Sequence, residues 1–505
     1  MITAQEYHRT TGYERNKIGG GGLDFGSQPN VFKSYSGRDT IPLPRPRGLP
    51  ERSFSNLIKD QSRPEPVDID LNRLTQIIVL THAVTAKARY GGMDFYFRNV
   101  ASAGALYPFE LYVGACNVSG LEDGLYHHDL GAHALTRLRT GDIEPSVSDA
   151  VDLEGEGSLC LAFFLTSIFF RSSWKYRDRA YRYHLLDTGH LAENLTLALR
   201  ALHVPFRIYY DFDDRRVNGL LGVDERKETG LAVICVPCKK AVGSRAVQEL
   251  EPVGAGLAEA SWVSSREVDS PLIREVHAAT QAKAEPGEEP PKMLDSLGLK
   301  RKSAFPLPGS DRWPEILNYT EAVSKRRSSR NFVRSPLSAD GLGALLESLC
   351  TSSREHRETR MIVRSALSVG LLVGNVQDVE PGFYTLDMEE RSIGLVSEGF
   401  MMDEMARVCL DQAWLRNCDL HFLFLSNLEL LETTWGARGY RRAMLTAGRL
   451  GQRIYLAATS MGLGCCGIGA FYDREAAELL GLNASSALLY LVAAGPLKKR
   501  PGTWG

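Results

Sequence analysis

Apolar residues run from Leu159 to Phe170 with only Thr166 and Ser167 between them. A stretch of that length is too short to cross a bilayer and predicts a strand buried on both faces. Behind it, apolar positions recur at helical spacing over 183–202, around Gly189, which predicts a long buried helix. The same succession returns later in the chain. LHFLFLSNLELLETTW (420–435) lies over LCLAFFLTSIFFRSSW (159–174), so that Trp174 meets Trp435, and 442–461 with Gly448 reads as a second long helix.

Other matches keep the same order. YRYHLLDTGHL (181–191) and YRRAMLTAGRL (440–450) share five of eleven positions, and LLGVD (220–224) falls on LLGLN (479–483). GLYHHD (124–129) matches GFYTLD (382–387), and Arg98-x3-Ser102-x-Gly104 is set against Arg364-x3-Ser368-x-Gly370. A repeat of this kind organises the whole fold. It predicts two diverged α+β units: 1–243, a linker over 244–304, and 305–505. The linker contains AEPGEEPPK (284–292), too poor in apolar residues to fold alone. A short helix is expected at Ser270-Pro271, a favourable cap and first turn.

Composition narrows the function. The chain has 505 residues, 44% hydrophobic and 24% charged, with a formal net charge of −2. Two domains follow from the length, and the missing basic excess excludes a nucleic-acid binder. No secretion signal or membrane span is read, and nine cysteines suit a reducing compartment. A cytoplasmic protein is expected, with no nucleic acid or membrane partner.

Candidate chemistry gathers in three places. Arg326, Arg327, Ser328 and Arg330 open the second unit, and guanidinium forks with hydroxyls suit a phosphate. Gly462 to Phe471 forms a glycine-rich turn behind the second long helix. It contains a formal G-x-G-x-x-G, but it closes a helix instead of opening one, so a dinucleotide loop is not read. Gly462 reads as a helix C-cap, while Gly467 and Gly469 would let backbone amides approach a flat ligand. Lys498, Lys499 and Arg500 follow the last strand. In the first unit, Arg98 and Ser102-Ala103-Gly104-Ala105-Leu106-Tyr107-Pro108 are followed by Trp174-Lys175-Tyr176 and Asp187-x-Gly189-His190.

Together these blocks resemble the nitroreductase superfamily, and the first unit resembles its SagB/ThcOx-type dehydrogenase branch. The resemblance implies a central, mostly antiparallel sheet flanked by helices in each unit, FMN as cofactor, and an intrachain pseudo-dimer. Further pairing of chains is left open. It implies that Arg326, Ser328 and Arg330 grip the FMN phosphate with Lys498 or Arg500. Arg364 and Ser368 would lie near the flavin ring or ribityl chain, and the amides around Ile468-Gly469 would face its N5–O4 edge. Lys175 and Tyr176 match the pair the branch uses beside the flavin, where a lysine and a phenol can exchange a proton as hydride leaves a ring carbon.

The units differ. Ile208, Tyr209 and Tyr210 stand where the second unit has Gly467, Ile468 and Gly469, and an acidic residue enters at Asp60-Gln61-Ser62-Arg63. Trp435-Gly436-Ala437-Arg438 reads as two residues shorter than Trp174 to Arg179, without the Lys-Tyr pair. The expectation is that the second unit holds FMN and the first supplies Lys175 and Tyr176. The competing placement puts FMN on Arg98, Ser102 and Tyr107. The implied function is FMN-dependent dehydrogenation of an azoline-like heterocycle or other peptide-derived substrate, with O2 as electron acceptor. Alternatives are an NAD(P)H-dependent nitro or quinone reductase and a non-catalytic scaffold in a peptide-modifying complex. No metal site is read: Cys235-x-x-Cys238 has no second pair, Cys465-Cys466 reads as core filling, and His127 and His128 should face opposite sides of a strand. Gly19–Gly22 reads as a flexible segment.

Overall fold

The continuous apolar run becomes the strand Leu159–Ile168, with every residue buried. It pairs antiparallel with Phe109–Ala115 on one side and Glu228–Pro237 on the other. Its two polar residues are satisfied internally: Thr166 donates to Glu228 at 2.6 Å, and Ser167 lies 2.8 Å from His184. The helix Ala180–Ala201 follows and buries every residue except Arg200, its polar residues included. Arg438–Ser460 is its counterpart in the second unit.

A computed structural model describes the chain except for residues 1, 18–21, 91–92, 152, 154–157, 240–248, 283–289, 309–312, 351–362 and 499–505. Gly19–Gly21, most of the AEPGEEPPK segment, Lys499 and Arg500 therefore lie outside the described residues. The chain divides into two units. The first comprises Met1–Ile2, Gly21–Pro50 and Ser62–Glu285; the second comprises Thr3–Gly20, Glu51–Gln61 and Pro286–Gly505. In each, a seven-stranded sheet has one strand order. In the first it runs Thr40–Pro42, Ala134–Thr140, Gly124–Asp129, Phe109–Ala115, Leu159–Ile168, Glu228–Pro237, Arg207–Tyr209. In the second it runs Ser303–Pro306, Ser392–Glu398, Gly382–Asp387, Ser368–Val373, Leu420–Asn427, Ser486–Gly495, Gly464–Ile468. Every pairing within these sheets is antiparallel. The linker helix forms at Pro271–Ala279.

The repeat does not announce that two segments early in the chain belong to the second unit. The helix Ala4–Thr10 is closed by a capping box between Thr3 and Glu6, and His8 Nδ1 lies 3.0 Å from the Tyr440 hydroxyl. Arg15 reaches Asp411 and Glu475 at 3.0 and 2.7 Å and covers the Tyr472 ring. The helix Phe54–Lys59 stacks Phe54 on Tyr319 and sets Ser55 on Glu315. Deleting residues 3–17 should therefore unfold the second unit earlier, lowering its melting midpoint by at least about 5 °C. Differential scanning calorimetry against the full chain checks this.

Strand register corrects two of the alignments. Gly124–Asp129 and Gly382–Asp387 pair with Phe109–Ala115 and Ser368–Val373 so that Ser368 takes the place of Glu110 and Arg364 that of Leu106. Arg364 and Ser368 are thus no counterparts of Arg98 and Ser102. The helices Phe169–Tyr176 and Leu428–Trp435 both have eight residues. Each is followed by a left-handed residue, Arg177 (φ 50°) or Gly436 (φ 58°). Trp435 consequently replaces Tyr176, Thr434 replaces Lys175, and the second unit has no deletion there. The Lys-Tyr pair is absent from it by substitution.

Candidate active site

In the first unit, a loop from Ser102 to Pro108 leads into the strand Phe109–Ala115. Gly104, Ala105 and Tyr107 adopt φ values of 63°, 55° and 47°, a region that costs a residue with a Cβ about 1–2 kcal/mol. Such strain persists only where the surroundings impose it. Asp187, on the long helix, imposes part of it. Its carboxylate accepts Ser102 Oγ–H at 2.6 Å and the Ala103 amide at 3.2 Å, and Ser102 Oγ in turn accepts the Tyr107 amide at 2.8 Å. From the other side Arg171 donates to the Tyr107 carbonyl at 3.1 Å. The Arg98 guanidinium lies 4.4 Å from the Tyr107 ring centre, and the Arg98 amide donates to the Tyr107 hydroxyl at 3.3 Å.

This loop carries Gly104 up to the end of the helix Phe169–Tyr176. A Cβ on Gly104 would stand 2.7 Å from the Tyr176 hydroxyl and 3.1 Å from Lys175 Nζ. The glycine is therefore required twice, by its dihedral and by this approach. Lys175 Nζ lies 5.3 Å from the Tyr176 ring centre, and the Tyr176 and Tyr183 rings are 4.4 Å apart. Lys175 is exposed and Tyr176 half-buried, so an ammonium and a phenol stand together at an accessible place. Gly104→Ala should push the phenol aside and lower turnover at least about tenfold, as displacements near reacting groups do. Steady-state kinetics with an unchanged circular-dichroism spectrum would show it.

Electrostatics separate the groups around the loop. Burial raises the Asp187 carboxyl from 3.8 to about 7, against the hydrogen bonds from Ser102 and Ala103. The folded protein thus holds this proton more tightly than the unfolded chain. The stability it contributes is complete below about pH 4 and is lost as pH rises through 7. Asp187→Asn should flatten that part of the stability curve, read from urea midpoints between about pH 5 and 8. Burial also opposes ionisation of Glu110, but Arg171 at 2.5 Å and His127 at 2.9 Å hold its carboxyl well below the usual range. Burial pulls the Arg98 guanidinium down to about 10. Arg98 is spent on His82 at 3.0 Å and the Val31 carbonyl at 2.7 Å. Asp187 stands in the sequence blocks without a role, and Glu110, two residues past Pro108, extends one of them; Arg171 is missed, although an arginine directly at the end of an apolar run is itself a signal of buried pairing.

In the second unit the arginine cluster forms beside the glycine strand. Arg326 is buried with its guanidinium 5.4 Å from the Tyr455 ring centre, and Ser328 Oγ lies 2.9 Å from the Tyr455 hydroxyl. Arg330 is exposed, 5.8 Å from the Trp414 ring centre and beside the Cys466 thiol, with no carboxylate partner among the described residues. Arg327 turns back to cap carbonyls of Ser324 and Arg326. An exposed guanidinium without a carboxylate partner suits a phosphate.

Gly467 departs from the expectation. A Cβ there would stand 1.8 Å from the Tyr490 hydroxyl, and its amide donates to the Tyr455 hydroxyl at 2.6 Å. Its missing side chain accommodates Tyr490, not a flat ligand. Ile468 is buried beside it, in register with Leu491, and Gly469 follows the strand. Arg364 lies 3.7 Å from Glu389 and lines a shallow pocket with Ser368, Lys292 and Asp387. None of Arg326, Ser328, Arg330 and Gly467 lines it. Lys498 is exposed and its amide donates to Asn331.

The lesser expectations can be placed as well. Gly462, at φ 72°, caps the second long helix. His127 faces Glu110 while His128 packs on His82. Asp60 pairs with Arg52 at 2.9 Å. Among the described residues no group of three or more His, Cys, Asp or Glu could hold a metal ion. No helix among them is long and apolar enough to cross a membrane.

Known proteins are similar to this chain. The model of the Nitroreductase family matches residues 65–236 and again 323–496. MJ1384 of Methanocaldococcus jannaschii, described as a nitroreductase, is 30% identical over 178 residues, covering 35% of this chain and 90% of that protein. The trifolitoxin-processing protein TfxB of Rhizobium leguminosarum bv. trifolii is 25% identical over 218 residues. That match spans 41% of this chain and 58% of TfxB. A crystal structure described as a nitroreductase from Anabaena variabilis ATCC 29413 is 26% identical, with a TM-score of 0.77 over 99% of this chain and 100% of that one. With both halves matched and the sheet order repeated, the chain belongs to the nitroreductase family as a tandem of two family domains.

Proposed function

We propose that this protein is an FMN-dependent dehydrogenase of an azoline-like or other peptide-derived heterocycle, with O2 as the electron acceptor. The observation that carries the reading is the approach of Lys175 and Tyr176 to Gly104 on a loop held in a strained shape. TfxB, a toxin-processing relative, supports a peptide-derived substrate. Arg326, Ser328 and Arg330 have the donor chemistry for the FMN phosphate, whereas Arg98 and Ser102 are engaged by His82, Val31 and Asp187. When bound, FMN supplies a two-electron acceptor. The chain's own part is proton handling: Tyr176 as phenolate, or Lys175 as neutral amine, can take the proton that leaves the substrate ring as its carbon–hydrogen bond is oxidised, each having first given up its own proton to solvent. The Ser102–Pro108 loop fixes where these two groups stand.

A second reading, a reductase using NAD(P)H, is favoured by the likeness to MJ1384. The protein should purify with FMN, and a thiazoline-containing peptide should be converted to the thiazole with uptake of O2. Rapid flavin reduction by NADPH with no turnover of the heterocycle would favour the second reading instead.

A further inference from the structure

The C-x-x-C residues Cys235 and Cys238 lie in different surroundings. Cys235 is packed in the core with Tyr112 and Phe164. Cys238 lies just beyond the end of Glu228–Pro237, half-buried, and a third cysteine, Cys160, stands on the neighbouring strand. The register explains how they meet. Leu161 pairs with Val236 and Leu159 with Pro237, so Cys160 is left over in a bulge. Bulges re-aim side chains, and here the Cys160 and Cys238 thiols come to rest on one residue, Asn117. Asn117 ties the pair together. Its carbonyl accepts the Cys160 S–H at 3.4 Å, and its side-chain amide donates to Cys238 Sγ at 3.8 Å. The Cys238 thiol itself donates to the Leu159 carbonyl at 3.1 Å.

We propose that Cys160 and Cys238 form a redox-active thiol pair that a hydroperoxide converts to a disulfide. Cys238 is the sulfur oxidised first and Cys160 the one that resolves it. The roles follow from position: Cys238 is reachable from solvent, whereas Cys160 is buried. Once Cys238 is ionised, the Cys160 S–H can turn from Asn117 to it, which holds the Cys238 thiol below its ordinary value and favours the nucleophilic thiolate. In the first step the Cys238 thiolate attacks one peroxide oxygen. The O–O bond breaks, Cys238 becomes a sulfenic acid, and hydroxide or alkoxide departs. In the second, the Cys160 sulfur displaces the sulfenic oxygen, which leaves as water with the Cys160 proton. The two sulfurs together lose two electrons, and the peroxide gains them. Cys160 lies at the far end of Leu159–Ile168 from the helix that carries Lys175, so this is a modification site separate from the proposed active site.

Peptide mapping of the full reduced chain after limited hydrogen peroxide, with free thiols alkylated before digestion, tests the pair. The expected product is one Cys160–Cys238 cross-link, with Cys235, Cys465 and Cys466 still alkylated. In Cys160→Ser, Cys238 should instead be trapped by dimedone as the sulfenic acid. Asn117→Ala keeps both cysteines and should slow cross-linking, so the proposal stays testable if the serine variant does not fold. A Cys116–Cys160 or Cys235–Cys238 cross-link would overturn it. So would the absence of any cross-link at a dose that already oxidises methionine.

Discussion

Replacing Lys175 by Ala, or Tyr176 by Phe, is expected to lower the rate of substrate oxidation by about 10²–10⁴-fold while leaving the flavin bound. That is the range a positioned proton acceptor contributes. The two groups flank one atom position, the absent Cβ of Gly104, so they should act as a unit. The double variant should then lose much less than the product of the single losses. Flavin absorbance of the purified variants, measured beside single-turnover rates, separates this outcome from a structural one. Loss of flavin in either variant would mean that the pair holds the cofactor and is no proton acceptor.

Breaking the buried ion pair beneath the loop should produce the largest loss of stability. Glu110 and Arg171 are almost wholly inaccessible, and their partners are internal: His127 for Glu110, the Tyr107 and Asn30 carbonyls for Arg171. Glu110→Ala leaves a buried guanidinium without its carboxylate, a change that costs about 3–5 kcal/mol. Equilibrium unfolding in urea should place the variant that far below the parent. Replacing both residues, Glu110→Leu with Arg171→Met, should recover most of the stability because neither charge is then buried alone. Activity should not return with it, since the Tyr107 carbonyl still lacks the donor that helps hold the loop. Recovery of both together would show that Arg171 has no part in shaping the site.

Much of the architecture was readable from local signals. The run from Leu159, the two long helices and the order of the repeats each depend on periodicity, which neighbours in the chain determine. The proposed site was readable only in part. Lys175, Tyr176 and the Ser102–Pro108 block could be singled out, but Asp187 lies far from Ser102 in sequence, and only folding brings the carboxylate to the hydroxyl. Identity misled at Trp174 and Trp435, because two tryptophans align more attractively than Tyr176 with Trp435. Equal helix lengths and matching left-handed ends overrule that choice. Ser368 misled in the same way: it resembles Ser102 in spacing, yet it occupies the place of Glu110 in the sheet. At Gly467 the sequence predicts freedom for the backbone, but what fills the freed space, the Tyr490 ring, comes from another strand. The assignment of Thr3–Gly20 and Glu51–Gln61 to the second unit is likewise a tertiary choice, made by pairs such as Arg15 with Glu475.

The claim that Lys175 and Tyr176 serve a flavin dehydrogenase is tested most directly by anaerobic mixing of the flavin-loaded protein with a thiazoline-containing peptide. The account predicts that the visible flavin absorbance bleaches in one turnover as the thiazole forms, and that Lys175→Ala does not bleach. Bleaching by NADPH, with none by the heterocycle in the parent protein, would contradict it.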